Sequence, residues 1–213
     1  MMKKSKNNQK IAPTQSEAVR AIYVDFEGFT DRLPSFMGLQ IDENFQQIVF
    51  DDSLTIAAQA KGLQIAAFAH CMESMIATSV RENRLIAAYS EHELRVIQKY
   101  AGLNISDRYL DARKVAKYWF RKCHADHHSP GTGLKDFLRF INYERGAYLG
   151  ERKSTKRIRA VATMLASKGS YSGLTTTVKA QWTKVLEHNK IDVQGMKSLM
   201  SMACKELQLA KEA

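Results

Sequence analysis

The chain has 213 residues, 45% of them hydrophobic, and this length and composition predict one compact domain. No apolar run approaches the roughly 18 residues that span a bilayer, and the basic start MMKKSKNNQK has no apolar stretch behind it. Neither a membrane partner nor a secretory signal is expected, and a cytoplasmic location is the prediction.

Positive charge is in excess, with 32 Lys and Arg against 22 Asp and Glu and a net charge of +10. This balance favours a polyanionic partner such as nucleic acid, although a basic protein without such a partner is the alternative. The cysteines Cys71, Cys123 and Cys204 form no close pair, so reduced thiols are expected. The stretch CHADHH at 123–128 could hold zinc, but a polar helix end is the favoured interpretation.

The predicted elements begin after a polar N-terminal segment. Residues 1–18 lack hydrophobic periodicity and carry four lysines, so they are predicted to be a basic flexible arm. Residues 19–213 are predicted to form a single domain, whose first strand begins near Ala21. The run AIYVDFEGF is rich in β-branched and aromatic residues and ends in acidic residues and a glycine, as a strand does at a sheet edge.

Two further strands follow directly, because PSFMGLQID and FQQIVFDD each alternate apolar with polar residues around a polar turn. Helical spacing of apolar residues predicts a helix over 63–80. RLIAAYS is then a short buried strand, and SEHELRVIQKYAG is a helix with Ser90 as its N-cap and Gly102 as its stop. A strand at 108–111 runs into the helix ARKVAKYWFRKC, and three more helices are predicted at 134–141, 154–168 and 175–210.

The order of three strands, helix, strand, helix, strand and helices is typical of a mixed α/β fold. Three consecutive strands imply hairpins, which excludes a plain doubly wound parallel sheet. The sequence therefore predicts a sheet with antiparallel strands at its front and parallel strands behind them.

Two carboxylates lie at the end of the first predicted strand. Asp25 and Glu27 are two residues apart, so their side chains point to the same face of the sheet. Two anions on one face raise each other's pKa, which is unfavourable unless a cation lies between them. Taken alone, a solvent-exposed strand end explains the pair equally well.

The succession of motifs along the chain adds a resemblance. VDFEGF, LIAAYSEHEL, YLDARKVAKYW, GLKDFLRFI and VLEHNKIDVQGM together resemble the DEDD 3′-5′ exonucleases of the ribonuclease-H-like superfamily, across nearly the whole folded chain. The similarity is greatest to the predicted ribonuclease-H-like nucleases of the YprB or RecB-family type. It implies a ribonuclease-H-like fold with a mixed five-stranded sheet flanked by helices.

The resemblance also implies a set of site residues. Asp25 and Glu27 match the first motif, Glu93 stands at the second motif, where aspartate is usual, and Asp192 matches the last motif. These four carboxylates would hold two Mg²⁺ or Mn²⁺ ions, and hard oxygen ligands suit both ions. His188 precedes Asp192 by four residues and would take a proton from the attacking water.

Each of these positions has a simpler interpretation. Glu93 can be the capping-box partner of Ser90, His188 a solvated histidine and Asp192 a surface charge. The spacing of four before Asp192 is that of the subgroup with tyrosine as its base, whereas histidine belongs to the subgroup with spacing five, so the identity of the base stays open. Asp111 is interpreted as a helix cap.

Nucleic-acid contacts are predicted at two places. The run ERKSTKRIR has five cationic residues within eight positions: Arg152, Lys153, Lys156, Arg157 and Arg159. Several of them share one face of a predicted helix, where they could contact phosphates or simply be solvated. Phe36 follows Pro34 near the place where the resemblance puts a terminal base, and core packing is its commoner alternative.

The predicted function is a divalent-metal-dependent nuclease of DNA or RNA, with 3′-5′ exonuclease action on single-stranded ends as the leading form and endonuclease action close behind. The alternative of another class is a nucleic-acid-binding module that has the same fold and little or no turnover. The sequence does not decide between DNA and RNA, nor the oligomeric state.

Overall fold

Six strands form one mixed sheet in the part of the chain that a computed structural model describes, residues 12–29, 31–146 and 153–212. In chain order they are β1 Ile22–Glu27, β2 Phe36–Ile41, β3 Asn44–Val49, β4 Gln64–Ile65, β5 Ile86–Ala88 and β6 Tyr109–Asp111. The order across the sheet is β4-β3-β2-β1-β5-β6. The pairs β1–β2 and β2–β3 are antiparallel, whereas β1–β5, β5–β6 and β3–β4 are parallel.

Helices cover both faces of this sheet. They are α1 Gln15–Arg20, α2 Thr55–Gln59, α3 Phe68–Arg81, α4 Glu91–Ala101, α5 Ala112–Cys123, α6 Leu134–Phe140, α7 Ser154–Lys168 and α8 Thr176–Glu212. In the described ranges, none of them is long and apolar enough to cross a bilayer.

The alternation of β1 separates the two faces. Ile22 and Val24 pack with residues of α3 and α4 on one face, while Tyr23 packs with residues of α5 and α8 on the other. Because side chains alternate along a strand, Asp25 and Glu27 continue the Tyr23 face. The two carboxylates therefore point toward α8.

A third apolar cluster joins α7 and the first half of α8 to the sheet. Trp182 is fully buried, meets the ring of Phe36 edge to face at 5.7 Å between centroids, and donates from Nε1 to the Ala57 carbonyl at 3.3 Å. Ile158 and Val161 of α7 belong to the same cluster. This packing fixes the first turn of α7 beside the end of β1.

The predicted mixed α/β sheet, antiparallel in front and parallel behind, is confirmed, but the count of five strands is wrong. Gln64–Ile65 pairs with Ile48 and Val49 as a sixth strand, and the helix predicted from 63 begins only at Phe68. Two residues are too few to show an alternation, so the sequence carried no pattern for this strand. The short helix α2 was also not predicted.

The folded part of the chain begins earlier than predicted. Residues 15–20, of which 15–18 were assigned to the arm, form α1, and a capping box of Thr14 and Glu17 begins this helix. Ala18 is fully buried and its carbonyl accepts a hydrogen bond from Tyr23 at 2.7 Å. Residues 1–11 of the predicted arm lie outside the described ranges.

Three predicted helix caps are confirmed. The Ser90 hydroxyl accepts from the His92 N–H at 3.2 Å, and Gly102 ends α4 in the left-handed conformation at φ +69°. Asp111 accepts from the Lys114 N–H at 3.0 Å at the start of α5. Asp111 thus has the structural role that the sequence suggested for it.

Candidate active site

The end of β1 and the middle of α8 bring four predicted site residues together. His188 Nε2 lies 3.8 Å from Glu27 Oε1 and 3.5 Å from Asp192 Oδ2. His188 and Asp192 are one helical turn apart and therefore share the face of α8 that looks onto β1. Asp25 belongs to the same group, because Asp192 and Glu27 both raise its pKa.

A buried amide connects α8 to Asp25. The fully buried Asn189 donates from Nδ2 to the Asp25 carbonyl at 3.0 Å and to Asp25 Oδ2 at 2.9 Å. Its Oδ1 accepts from Gln47 Nε2 at 2.9 Å, and Gln47 also donates to the Leu186 carbonyl at 2.9 Å. All polar atoms of the Asn189 amide are used, so this side chain orients the Asp25 carboxylate.

Gly38 allows α8 to approach the sheet this closely. It lies opposite Asp25 in the β1–β2 pair, on the same face of the sheet. A Cβ at this position would lie 2.3 Å from Asn189 Oδ1 and 3.0 Å from Val193 Cγ2. An isolated glycine inside a strand often marks a close approach of another segment, and Gly38 was the signal in the sequence for the approach of α8.

Glu93 reaches the group from another element. It lies in the first turn of α4, which follows β5, the parallel neighbour of β1. Its side chain is 6% exposed and accepts a hydrogen bond from the Ser90 hydroxyl at 3.4 Å. Burial raises the pKa of Glu93 to about 7, and Glu93 in turn raises the pKa of Asp25. Glu93 therefore interacts with Asp25 as well as with its cap residue Ser90. The four carboxylates Asp25, Glu27, Glu93 and Asp192 are called the acidic centre below.

Burial and mutual repulsion dominate the electrostatics of this centre. Burial raises the pKa of Asp25 well above its ordinary value, and Glu27, Asp192 and Glu93 add to the effect. Burial and Asp192 raise the pKa of Glu27 to about 8. The pKa of Asp192 is also raised by burial. Carboxylates buried together in this way keep their negative charge only at a cost in free energy, unless positive charge compensates for it.

The donor set of the acidic centre fits Mg²⁺ or Mn²⁺ chemically, because both ions prefer carboxylate oxygen. As they stand, no three His, Cys, Asp or Glu side chains of the described ranges are arranged to hold a metal ion. The carboxylates are instead engaged with other partners: Glu27 accepts from Ser154 at 3.2 Å, and Asp192 faces Arg145 at 3.4 Å. A metal would therefore exchange places with these partners.

Arg145 is a cation inside the centre that the sequence did not suggest. Its Nη2 lies 2.7 Å from His188 Nδ1, and its Nε lies 3.4 Å from Asp192 Oδ1. A guanidinium has donors only, so Nδ1 of His188 is the acceptor and the ring proton is on Nε2, facing the carboxylates. The pKa of His188 is lowered, chiefly by burial, so the ring is neutral.

Two carboxylates of the centre, Glu27 and Asp192, line a pocket of about 500 Å³ that also includes positive and hydroxyl groups. Its walls carry Glu27, Asp192 and His188, together with Lys135, Arg145, Ser154 and Thr155. Ser154 and Thr155 begin α7, and Thr155 donates to the Gly28 carbonyl at 2.7 Å. Acidic and basic side chains thus face one another across a space that can admit a small anion.

The predicted basic run is divided between surface and interior. Lys153, Lys156 and Arg159 are exposed on α7, whereas Arg157 is only 9% exposed. Arg157 lowers the pKa of both Glu27 and His188, so it acts as an internal counter-charge. Arg157 also lines a groove between α7 and α8 together with Lys153 and Lys156, so its contact with nucleic acid stays a prediction. Arg152 lies outside the described ranges.

The prediction that Phe36 contacts nucleic acid is wrong. Phe36 has no exposed surface and packs in the cluster of Trp182. A ring enclosed in this way cannot stack on a base, so the alternative of core packing holds.

The stretch 123–128 has a packing role in part. His124 Nε2 lies 2.8 Å from Glu206 Oε2, which also accepts from Trp119 Nε1 at 2.7 Å. The rings of Trp119 and His124 meet edge to face at 4.8 Å between centroids. These contacts hold the end of α5 against α8, in agreement with the interpretation as a polar helix end.

Comparison of the chain with the models of known protein families, with curated proteins and with solved structures gives no match.

The free energy of unfolding of the metal-free protein is expected to fall between about pH 6.5 and about pH 8.5. Glu27 and Glu93 have folded-state pKa values of about 8 and about 7, above the ordinary 4.5, so the folded protein keeps protons that the unfolded chain has lost. Each such carboxyl lowers stability by about 1.4 kcal/mol per pH unit until it ionises in the folded state. The lowered pKa of His188 acts oppositely, but only below its ordinary value of 6.5.

Urea unfolding in the presence of a chelator measures this slope. Glu27→Gln removes one of the two groups and is expected to flatten the decline, and Mg²⁺ is expected to offset it in the wild type. A wild-type stability that stays constant or rises across this pH range would contradict the buried, mutually repelling carboxylates.

Proposed function

We propose that this protein is a divalent-metal-dependent nuclease with a ribonuclease-H-like fold, cleaving phosphodiester bonds of DNA or RNA. The observation that carries the proposal is the convergence of Glu27, Asp192 and His188 in one pocket, with Asp25 held beside them by Asn189. Glu93 is close enough to raise the pKa of Asp25. Carboxylates in such a group have no packing function that apolar residues would not serve better. Their chemical use is to hold hard cations.

In the proposed reaction Asp25, Glu27, Glu93 and Asp192 would hold Mg²⁺ or Mn²⁺, and the bound ion would supply a lowered pKa for the attacking water and positive charge beside the leaving oxygen. Asn189 keeps Asp25 oriented, and Ser154 orients Glu27. His188 has its lone pair on Nδ1, where Arg145 donates at 2.7 Å, so it can take the proton of the water only after Arg145 has left that nitrogen.

The surface beside the pocket supports a nucleic acid as substrate. Thr155 lines both the pocket of the acidic centre and a groove along α7 that carries Lys156 and Arg159. Lys153 and Lys156 line a second groove, between α7 and α8, together with Lys184. Cations along these two grooves, the first of which shares Thr155 with the pocket, can hold the phosphates of a strand that enters it.

Incubation of the protein with end-labelled single-stranded DNA and RNA, with Mn²⁺ or with a chelator, tests the proposal. Metal-dependent shortening from the 3′ end is expected, and a circular substrate of the same sequence should resist an exonuclease but not an endonuclease. Absence of cleavage of every one of these substrates with Mn²⁺ or Mg²⁺ would contradict the nuclease.

Replacing Lys153, Lys156 and Arg159 together by Gln is expected to weaken binding of a single-stranded oligonucleotide. The slope of log K against log salt should decrease in magnitude by about 2, because each lost phosphate contact removes about 0.7 from it on single strands. Titrations by fluorescence anisotropy at several salt concentrations measure both quantities. The matched control exchanges three exposed lysines of other elements, Lys61, Lys99 and Lys205, and should leave the slope unchanged.

A second candidate function is a nucleic-acid-binding module without turnover. Arg145 favours it, because a guanidinium already lies among the carboxylates and contacts the candidate base. Binding of oligonucleotides without cleavage, in the presence of either metal, would support this function over the nuclease.

A further inference from the structure

We infer that Arg145 is an exchangeable internal cation of the acidic centre, which a divalent ion must displace before the site can act. The inference rests on the proposed function, since it concerns how the same carboxylates exchange one cation for another. It is carried by the contacts, the burial and the backbone setting of Arg145.

The contacts of Arg145 block two groups at once. Its Nε faces Asp192 Oδ1 at 3.4 Å, and Asp192 is one of the four carboxylates of the centre. Its Nη2 uses the lone pair of His188 at 2.7 Å, which is the atom that would accept a proton. With Arg145 in this position, His188 has no free acceptor and Asp192 is already paired with a charge.

The contact between Arg145 and Asp192 has poor geometry for a permanent ion pair. Arg145 Nε is buried and, within the described ranges, has no hydrogen-bond partner, since its approach to Asp192 is not aligned for one. A buried donor without a partner is unfavourable, and arginine cannot relieve this by losing its proton. A permanent structural arginine usually makes bidentate, aligned contacts with its carboxylate, and this one does not.

The backbone around Arg145 permits the side chain to leave. The helix α6 ends at Phe140, Asn142 has a left-handed φ of +54°, and residues 143–146 belong to no helix or strand. The side chain of Arg145 is still 18% exposed, so a path to solvent exists. Withdrawal needs rotation of one long side chain and no unfolding of a regular element.

Asp192 and His188 would be released together by this withdrawal. Asp192 then completes the carboxylate set, and Nδ1 of His188 becomes free to accept a proton. The positive charge of Arg145 then moves toward solvent. Metal binding and exposure of the base His188 are coupled in this arrangement, because Arg145 contacts both Asp192 and His188.

Titration of the metal-free protein with Mn²⁺, followed by calorimetry or by the paramagnetic resonance signal of the free ion, tests the inference. Arg145→Gln is expected to bind Mn²⁺ about tenfold more tightly than the wild type, because no internal cation has to leave first. Arg145→Lys keeps the charge and should remain near the wild type. Lys61→Gln, which removes an exposed charge after α2, is the matched control and should change the affinity little.

An Arg145→Gln protein that binds Mn²⁺ no more tightly than the wild type overturns the inference while leaving the nuclease proposal intact. If neither protein binds Mn²⁺, the acidic centre is not a cation site, and both proposals fall. If Arg145→Gln does not fold, the inference can be tested on the wild-type protein labelled with ¹⁵N-arginine. Saturating Mg²⁺ is expected to shift the Nε–Hε resonance of Arg145, assigned with Arg145→Lys, and an unshifted resonance overturns the inference.

Discussion

Asp25→Asn is expected to abolish metal-dependent cleavage, by on the order of 10³-fold or more, while the protein stays folded. Asp25 interacts with every other carboxylate of the acidic centre, because Glu27, Asp192 and Glu93 all raise its pKa. Asparagine has nearly the same shape but brings no negative charge, so the centre loses its affinity for a cation. Cleavage rates of a labelled single strand with saturating Mn²⁺ measure the effect.

The stability of Asp25→Asn shows whether its loss of cleavage comes from the missing charge or from unfolding. Asparagine can still accept the hydrogen bond from Asn189 Nδ2 through its amide oxygen, and it removes a buried charge from a repelling group. The unfolding temperature of the metal-free variant at pH 8 should therefore equal or exceed that of the wild type. Asp31→Asn, which removes an exposed carboxylate close behind β1, is the control and should keep full activity. Wild-type turnover by Asp25→Asn would remove Asp25 from the mechanism.

Gly38→Ala is expected to lower both stability and activity, because it adds an atom where α8 meets the sheet. The new Cβ would lie 2.3 Å from Asn189 Oδ1 and 2.9 Å from its Cγ, in a fully buried place. Overpacking of this kind costs about 1–3 kcal/mol. The displaced Asn189 no longer holds the Asp25 carboxylate, and misplacement by about 1 Å can cost about 10²-fold in rate.

Urea unfolding and cleavage rates of the same preparation measure the two effects of Gly38→Ala. The control is Gly173→Ala, an exposed position where the Cβ meets only the Lys168 side chain and atoms of Ser170, the nearest at 3.1 Å. This control should change stability by less than about 0.5 kcal/mol. Full stability and full activity of Gly38→Ala would show that α8 does not need its close approach to β2.

The elements that the sequence determined by itself are those with local causes. The alternation in AIYVDFEGF produces a strand and puts Asp25 and Glu27 on one face, since the side-chain period of a strand is two residues. Ser90 and Gly102 limit α4 through hydrogen bonds and a backbone conformation within their own turns. Neighbouring residues are sufficient for such features, and the prediction from sequence was confirmed for them.

Tertiary structure decided which side chains are enclosed and which cations enter the acidic centre. Phe36 and Arg157 lie on regular elements that were predicted, yet both are buried, because Trp182 covers Phe36 and α7 packs inward against α8 and the sheet. Arg145 contacts His188 across 43 residues of sequence. Periodicity indicates that a helix or strand has an apolar face, but not which distant element covers that face or what the irregular segments bring to it. Those choices depend on packing between residues far apart in the chain, for which local pattern carries no information.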